Sequence, residues 1–484
     1  MPQPTMPRAG RAAPANGARA DSLLAADLVA LSGGHLVRDS HRAISGASVD
    51  SRRVRPGELF VALPGERTDG HRFLTEAVIA GAAAVLVSVA PDPMTLASLG
   101  DVTIVSAADP LAALHAISAG WRARFTPLVV GVTGSVGKTS AKEAIATVLS
   151  ARGQTLRTEG NENNEIGLPL TLLRMSRDDV HAVVEMGMYT GGEITQLARM
   201  AQPHVGVVTS IQGVHLSRIG SLEAITNAKA ELVEALPGDG VAVLNADDPR
   251  VLGLARRTAA RVITYGFAKS ADVRVQRVRS LGVRGMRFQL RFASPPAAGT
   301  EPVTIPALGR LSVHNAAAAA AVGVAVGMQP GEIAQALAGG WSAPHRAQLV
   351  RAGDLTIIDD SYNASPASMT AALELLGGLP GRRIAVLGEM FELGDASEDG
   401  HRVVGGSAAA KADLLVTVGV GATMIANGAR EAGMSPAAVV ETEDRAAALA
   451  TLQLLLEPGD VILVKASRGV ELDRLVDALV AAPV

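Results

Sequence analysis

The chain contains no cysteine. That removes disulfides, thiol nucleophiles and cysteine metal sites, while leaving the compartment open. Aromatic residues supply only 2% of the 484 positions, so a core has to be assembled from Ala, Val, Leu and Ile. Long apolar runs are missing too: the alanine-rich stretch 316–327 falls short of a membrane span. Neither sign of charge dominates, and a net charge of −3 argues against a general nucleic-acid binder. The first 20 residues are rich in Pro, Ala, Gly and Arg and lack the apolar stretch of a signal peptide. A disordered tail and a cytoplasmic protein are therefore expected.

What is present is an ordinary globular composition, 48% hydrophobic and 19% charged, on a chain too long for one core. The expected fold class is α/β in three domains. Residues 1–20 form the tail and 21–125 a small N-terminal α/β domain. Residues 126–342 form a central P-loop domain on a parallel sheet, and 343–484 a C-terminal Rossmann-like domain. In the first domain Asp21-Ser22 should cap a helix reaching about Leu31. Strands are expected there at Glu58–Leu63, Ala84–Val89 and Thr103–Ser106, and helices at Arg72–Ala82 and Leu111–Phe125. In the second, strands at His181–Met186, Val205–Ile211 and Val241–Asn245 alternate with helices such as Ser221–Leu236. Residues 272–305 read as antiparallel strands, followed by helices from His314 to about Val326 and at 331–338. In the third, strands at Leu355–Asp359, Arg383–Leu387, Leu414–Val418 and Val461–Lys465 alternate with helices, the last at Glu471–Val480.

Chemistry concentrates in Leu128–Arg152, LVVGVTGSVGKTSAKEAIATVLSAR. A β-branched run leads into a turn punctuated by Gly131, Gly134 and Gly137. Ala141, Ala144, Ile145, Val148 and Leu149 then share one helical face. Free backbone N–H groups and the positive end of the helix dipole converge at that helix start, which favours phosphate. Lys138 would balance β/γ-phosphate charge, and the Thr139 hydroxyl would ligate Mg²⁺. The spacing is a variant: the usual four-residue interval would put the first glycine at Val132, and Gly131 is one position early.

Other residues are candidates on weaker grounds. Glu185 ends an apolar strand, where a carboxylate can ligate Mg²⁺ or orient a water opposite the phosphate loop. His215 could offer an imidazole to a metal, although a lone loop histidine is more often structural. Lys229 lies in a helical pattern, where a solvated lysine is the ordinary reading. The sharper reading is a desolvated amine that reacts with CO₂ to give a carbamate, a carboxylate-like metal ligand. Asn161, Asn163 and Asn164 in TEGNENNEIGLPL are either a turn cluster or amides that read a polar ligand. His314-Asn315 could cap the alanine helix, and Asn315 could also read adenine. Arg346, close to a hinge signalled by Gly339-Gly340 and Pro344, could reach ATP phosphates. In DDSYNASPASM, Asp360 could hold a ribose and Tyr362-Asn363 a substrate, while Ser365-Pro366 make a good helix start. GEMFELGDASEDGH and KASRG are further polar loops at strand ends. The segment 48–73 is dense in Gly, Pro, Arg and His, and reads equally well as a ligand segment or a solvated loop.

GVTGSVGKTSAKE, EGNENNEIGLPLTLL, VVEMGM, HLSRIGSLEAITNAKAEL, HN, DDSYNASPASM, VLGEMFELGDASEDGHR and VKASRGVELD occur in this order. Together they resemble the Mur ligases of peptidoglycan synthesis. The nearest resemblance is to the subfamily that joins D-alanyl-D-alanine to UDP-N-acetylmuramoyl-tripeptide, whose N-terminal substrate segment DSRRVRPGELFVALPGERTDGHRF resembles. The resemblance spans about residue 48 to the end. It implies ATP at Gly134, Ser135, Val136, Gly137, Lys138, Thr139 and Ser140, with further contacts from Asn315, Arg346 and Asp360. It implies Mg²⁺, as two ions, at Thr139, Glu185, His215 and a carbamylated Lys229, with Lys138, Lys229 and His215 as the catalytic set. Ser51 and Arg52 would lie near the uridine end of the nucleotide substrate, and Asn163 and Asn164 near its muramoyl–phosphate region. Tyr362, Asn363, Ser467 and Arg468 would face the dipeptide. The implied reaction is phosphorylation of the tripeptide carboxylate followed by attack of the dipeptide amine, with domain closure completing the site. A monomer with no nucleic-acid partner and no membrane span is expected. Two positions depart from the family pattern: Ala318 stands where a second asparagine is usual, and Ala466 where glycine is usual. Another ligase of the same fold, adding one amino acid or extending folate with glutamate, is the near alternative. A P-loop ATPase switch is the alternative from another class, and the third domain's separate polar loops argue against it.

Overall fold

The structure is a computed structural model that describes residues 22–65, 68–213, 221–293 and 298–481. Three sheets organise it. The first contains β1 (His35–Arg38), β2 (Ala47–Ser48), β3 (Leu59–Val61), β4 (Ala84–Val87) and β5 (Thr103–Ser106) in the order β1-β5-β4-β3-β2. Only β1 runs antiparallel to its neighbour. The expected 72–82 helix is split: a 3-10 turn at Gly70–Phe73, opened by the Asp69 side chain accepting from His71 N–H, leads into a helix at Leu74–Ile79. The expected Asp21-Ser22 cap is also corrected. The helix is Ala25–Ser32, its cap is Leu24, and Leu24 N–H donates to Asp27 at 2.8 Å. Leu23, just before it, is held in a bridge to Ile44, and Asp21 lies outside the described residues.

One compact unit takes in this sheet up to Thr126 together with Pro169–Asp178. Within it Trp121 Nε1 donates to the Met175 carbonyl at 3.0 Å, a polar tip satisfied inside an apolar core. The other unit holds Pro127–Leu168 and Asp179–Val484, with both remaining sheets.

The second sheet has nine strands. They are β6 (Leu128–Thr133), β7 (Thr155–Arg157), β8 (His181–Glu185), β9 (Val205–Val208), β10 (Val241–Asn245), β11 (Arg261–Gly266), β12 (Val273–Ser280), β13 (Met286–Phe292) and β14 (Gly299–Ile305). The order is β14-β13-β12-β11-β10-β9-β6-β8-β7, and only the β12–β13–β14 end is antiparallel, as the 272–305 pattern predicts. Gly131 does not punctuate a turn. It lies inside β6, where a Cβ would stand 2.9 Å from Leu232 Cδ1, so its role is close packing.

The scarcity of aromatics is met by helix packing. The helices Lys138–Ser150 and Gly309–Ala325 both enter the core cluster of this sheet, with Ala316 through Ala321 fully buried. Small side chains let helices pack closely and keep the interior dense. The second of these helices starts at Gly309 rather than His314. Leu308 is its N-cap, so His314 and Asn315 sit in its second turn and cap nothing.

The third sheet contains β15 (Gln348–Ala352), β16 (Leu355–Asp359), β17 (Arg383–Gly388), β18 (Leu414–Val418), β19 (Val439–Thr442) and β20 (Val461–Lys465). Its order is β15-β16-β20-β17-β18-β19, with β15 antiparallel at the edge. The chain returns from β19 to place β20 between β16 and β17, parallel to both, so the loops after β16, β20 and β17 lie side by side at the sheet edge where such folds bind ligands. Ser365 caps the helix Pro366–Gly377 as its sequence predicts. Among the described residues no helix is long and apolar enough to cross a membrane.

Candidate active site

The glycine loop at Gly134–Lys138 is built by glycine conformation and braced from the next strand. Gly134 has φ +149° and Gly137 φ +87°, and Gly137 is the N-cap of the helix Lys138–Ser150. A Cβ on Gly134 would stand 1.9 Å from Thr209 Oγ1 and 3.0 Å from Ser210 N. Ser135 N–H donates to the Ser210 carbonyl at 2.8 Å, and Val136 N–H to Ser210 Oγ at 3.0 Å. Thr209 Oγ1 donates to the Val136 carbonyl at 2.7 Å. Gly134, not Gly131, is thus the first glycine of the loop. Gly134→Ala should raise the KM for ATP by about tenfold or more, since strained backbone costs roughly 1–3 kcal/mol. A titration of initial rate against ATP measures it.

Four charged side chains converge beside this loop. Lys138 Nζ donates to the Gly134 carbonyl at 2.8 Å. Burial pushes the Lys138 pKa down, the Glu185 carboxylate opposes that, and the Arg346 guanidinium adds to it. Lys229 is 3% exposed; burial drives its amine well below the usual lysine value, and nearby Lys138 adds to the effect. Glu185, at the end of β8, is 1% exposed. Its Oε1 accepts from Asn163 Nδ2 at 2.8 Å, while its buried Oε2 has no hydrogen-bond partner among the described residues. A buried, half-satisfied carboxylate is costly and suits a hard cation with oxygen ligands. The buried Thr139 hydroxyl is the second oxygen of the right kind, so the residues present fit Mg²⁺. His215 lies outside the described residues.

The third sheet contributes from its loops. Tyr362 has two guanidiniums within cation–π reach, Arg346 at 4.1 Å and Arg468 at 5.0 Å from its ring centroid. Burial raises the Tyr362 hydroxyl, and both guanidiniums oppose the shift. Lys465 Nζ pairs with Asp360 Oδ2 at 2.7 Å and donates to the Asn363 carbonyl at 2.8 Å. Ser467 Oγ accepts from Phe391 N–H at 2.8 Å, and the Asn363 side chain is exposed. Arg346 is flanked by His345 at φ +58° and Ala347 at φ +49°, and His345 Nδ1 meets Asp359 Oδ2 at 2.7 Å.

The remaining candidates separate. Asn164 Oδ1 accepts from Gly167 N–H at 2.9 Å, which occupies it at the start of the helix Gly167–Leu173. Asn315 is buried with its Oδ1 3.2 Å from where a Cβ on Gly137 would stand, so it faces the loop. Ser51 and Arg52 belong to the first unit, where Ser51 Oγ donates to Glu76 at 3.1 Å and Arg52 pairs with Asp50 at 2.8 Å. The sequence reading missed Thr209 and Ser210, and also Asn245 and Asp247, which meet His314 Nε2 at 3.0 and 3.2 Å. A hydroxyl pair directly after an apolar strand was the available signal for the first two.

Family models match three stretches of the chain. They are the Mur ligase family catalytic domain at 43–119, the Mur ligase middle domain at 132–323, and the Mur ligase glutamate ligase domain at 345–468. The UDP-N-acetylmuramoyl-tripeptide–D-alanyl-D-alanine ligase of Mycobacterium leprae is 40% identical, covering 91% of this chain and 94% of that one. The Bacillus subtilis ligase of the same name is 37% identical, with 91% and 94% covered. Crystal structure II of MurF from Acinetobacter baumannii superposes with a TM-score of 0.84 at 29% identity, covering 95% of this chain and 99% of that one. MurF ligase from Thermotoga maritima in complex with ADP gives 0.77 at 26%, covering 90% and 97%. A Mycobacterium tuberculosis folylpolyglutamate synthase, at 18% identity and a TM-score of 0.62, shares the fold alone. The chain belongs to the Mur ligase family.

Proposed function

We propose that this chain is the ATP-dependent ligase that joins D-alanyl-D-alanine to UDP-N-acetylmuramoyl-tripeptide, working as a cytoplasmic monomer in peptidoglycan precursor synthesis. The observation that carries the substrate assignment is likeness over nine-tenths of the chain to ligases of that name. The site supplies the chemistry. A carboxylate is a poor electrophile, so the tripeptide's terminal carboxylate oxygen attacks the γ-phosphorus of ATP and the bond to ADP breaks. The resulting acyl phosphate is attacked at its carbonyl carbon by the dipeptide amine, which loses a proton as phosphate leaves with the electron pair. Lys138 and the loop Gly134–Ser140 hold the phosphates, Arg346 reaches them from the third sheet, and Asn315 and Asp360 hold the nucleoside. Such transfer depends on positioning and charge neutralisation. Bound Mg²⁺ would spread the phosphate charge. Thr139 and Glu185 would hold it, with His215 and carbamylated Lys229 serving a second ion. Asn163 and Asn164 lie towards the muramoyl end of the substrate, while Ser51 and Arg52 take the uridine end within the 21–125 domain. Tyr362, Asn363, Ser467 and Arg468 in the 343–484 domain face the dipeptide.

Phosphate release should require ATP, the nucleotide tripeptide and D-alanyl-D-alanine together. A coupled phosphate assay with each omitted in turn measures this. Strong ATP turnover without either acceptor would sink the ligase reading and favour an ATPase switch.

A further inference from the structure

One fully buried cation has no part in the reaction described above. Lys142 lies on the helix Lys138–Ser150, one turn beyond the phosphate-loop lysine, and its side chain is 0% exposed. Burying an ammonium is expensive unless it is paired and hydrogen-bonded. Lys142 Nζ pairs with Glu143 Oε1 at 2.7 Å and donates to the Thr158 carbonyl at 2.5 Å. Glu143 is tied in turn to Arg157 at 3.1 Å.

Thr158 is the pivot. It is itself fully buried, and its Oγ1 accepts the Glu185 backbone N–H at 3.0 Å. The chain then turns so that Asn163 Nδ2 meets Glu185 Oε1 at 2.8 Å, and the Asn163 carbonyl accepts Gly187 N–H at 2.7 Å. Glu185 is therefore gripped at its backbone and at one carboxylate oxygen by a single segment, Thr158–Asn163. Lys142 binds that segment to the helix that begins at Lys138 through the Thr158 carbonyl.

We propose that Lys142 is a positioning residue for Glu185. It locks the Thr158–Asn163 segment to the helix that begins at Lys138, so that the free Oε2 of Glu185 is held in register with the Thr139 hydroxyl. This rests on Glu185 serving the divalent cation. Groups that orient a metal ligand without touching the metal are worth about 10–100-fold in affinity or activity.

The test is the full-length double variant Lys142→Met/Glu143→Gln. Methionine fills the slot, and glutamine removes the carboxylate that would lose its lysine partner. Its melting temperature should stay near that of the native chain, and calorimetric ADP binding without metal should be unchanged. Mn²⁺ affinity in the ADP complex, read by electron paramagnetic resonance, should fall about 10–100-fold, and kcat with Mg²⁺ should fall with it. Thr158→Val keeps Lys142 and deletes only the hydroxyl that receives Glu185 N–H, and should show the same loss. Mn²⁺ affinity within about twofold of native in either variant overturns the proposal. Glu185→Gln is measured alongside. Native Mn²⁺ affinity there would remove Glu185 from the metal site and take the proposal with it. A loss there with none in the other variants would overturn Lys142 alone.

Discussion

Replacing Lys138 with alanine should leave a folded chain whose phosphate release is slower by about a thousandfold or more. The folded half of this expectation follows from burial. The Lys138 pKa is pushed down because its ammonium is enclosed, which means the native state bears a cost to keep the charge there. Deleting it removes that cost along with one hydrogen bond to the Gly134 carbonyl. The catalytic half follows from charge. The Glu185 carboxylate acts to raise the Lys138 pKa and the Lys138 ammonium donates to the Gly134 carbonyl, and a transferring phosphate would add a second anion for that charge to answer. Preorganised charge in a water-poor site is worth far more than the same charge in solution. Thermal melting and a phosphate-release assay on the same preparation separate the two halves. Unchanged turnover would exclude the phosphate role of the loop.

Lys229→Ala should lose activity by roughly a hundredfold and recover part of it on adding formate or acetate. The ordinary reading of a helical lysine, a solvated surface group, fails on burial. Lys229 lies on the helix Leu222–Glu234 with 3% exposure, on the face that carries Ile225, Leu232 and Val233 into the core. Burial pushes its pKa well below the usual lysine value and so favours the free amine, the form that reacts with CO₂. A carbamate there would be an anion near the Lys138 ammonium, turning the like-charge repulsion that helps lower the Lys229 pKa into an attraction. A small carboxylic acid diffusing into the space left by alanine would supply an equivalent oxygen pair. Full activity of Lys229→Ala without any added acid would reduce Lys229 to a buried filler.

Part of this placement could be read along the chain. Ile225, Lys229 and Val233 are spaced by four, which sets the lysine on the apolar face of its helix. The strand, turn and helix at Leu128–Ser150 were legible because each depends on neighbours in sequence. A β-branched run, glycines that accept positive φ and a helical apolar face are local properties. The 272–305 hairpins and the Ser365 cap were legible for the same reason. The order of the quoted motifs was enough to indicate a family, because each records a local constraint of the fold.

What the sequence determined alone was the strand, glycine turn and helix at Leu128–Ser150, the α/β alternation and the family. Tertiary structure decided which residues touch. Gly131 proved to be a packing glycine because Leu232, a hundred positions away, lies against it. Asn315 faces the phosphate loop instead of capping a helix because that helix begins at Gly309. Thr209 and Ser210 brace the loop from the end of β9, and Tyr362 lies within cation–π reach of Arg346 and Arg468. Lys142 became visible only when Thr158 and Glu185 were brought to it. These are contacts between strands and loops distant in sequence. Side-chain burial and pairing at such contacts depend on which elements are neighbours in the sheet, and no spacing along the chain encodes that order.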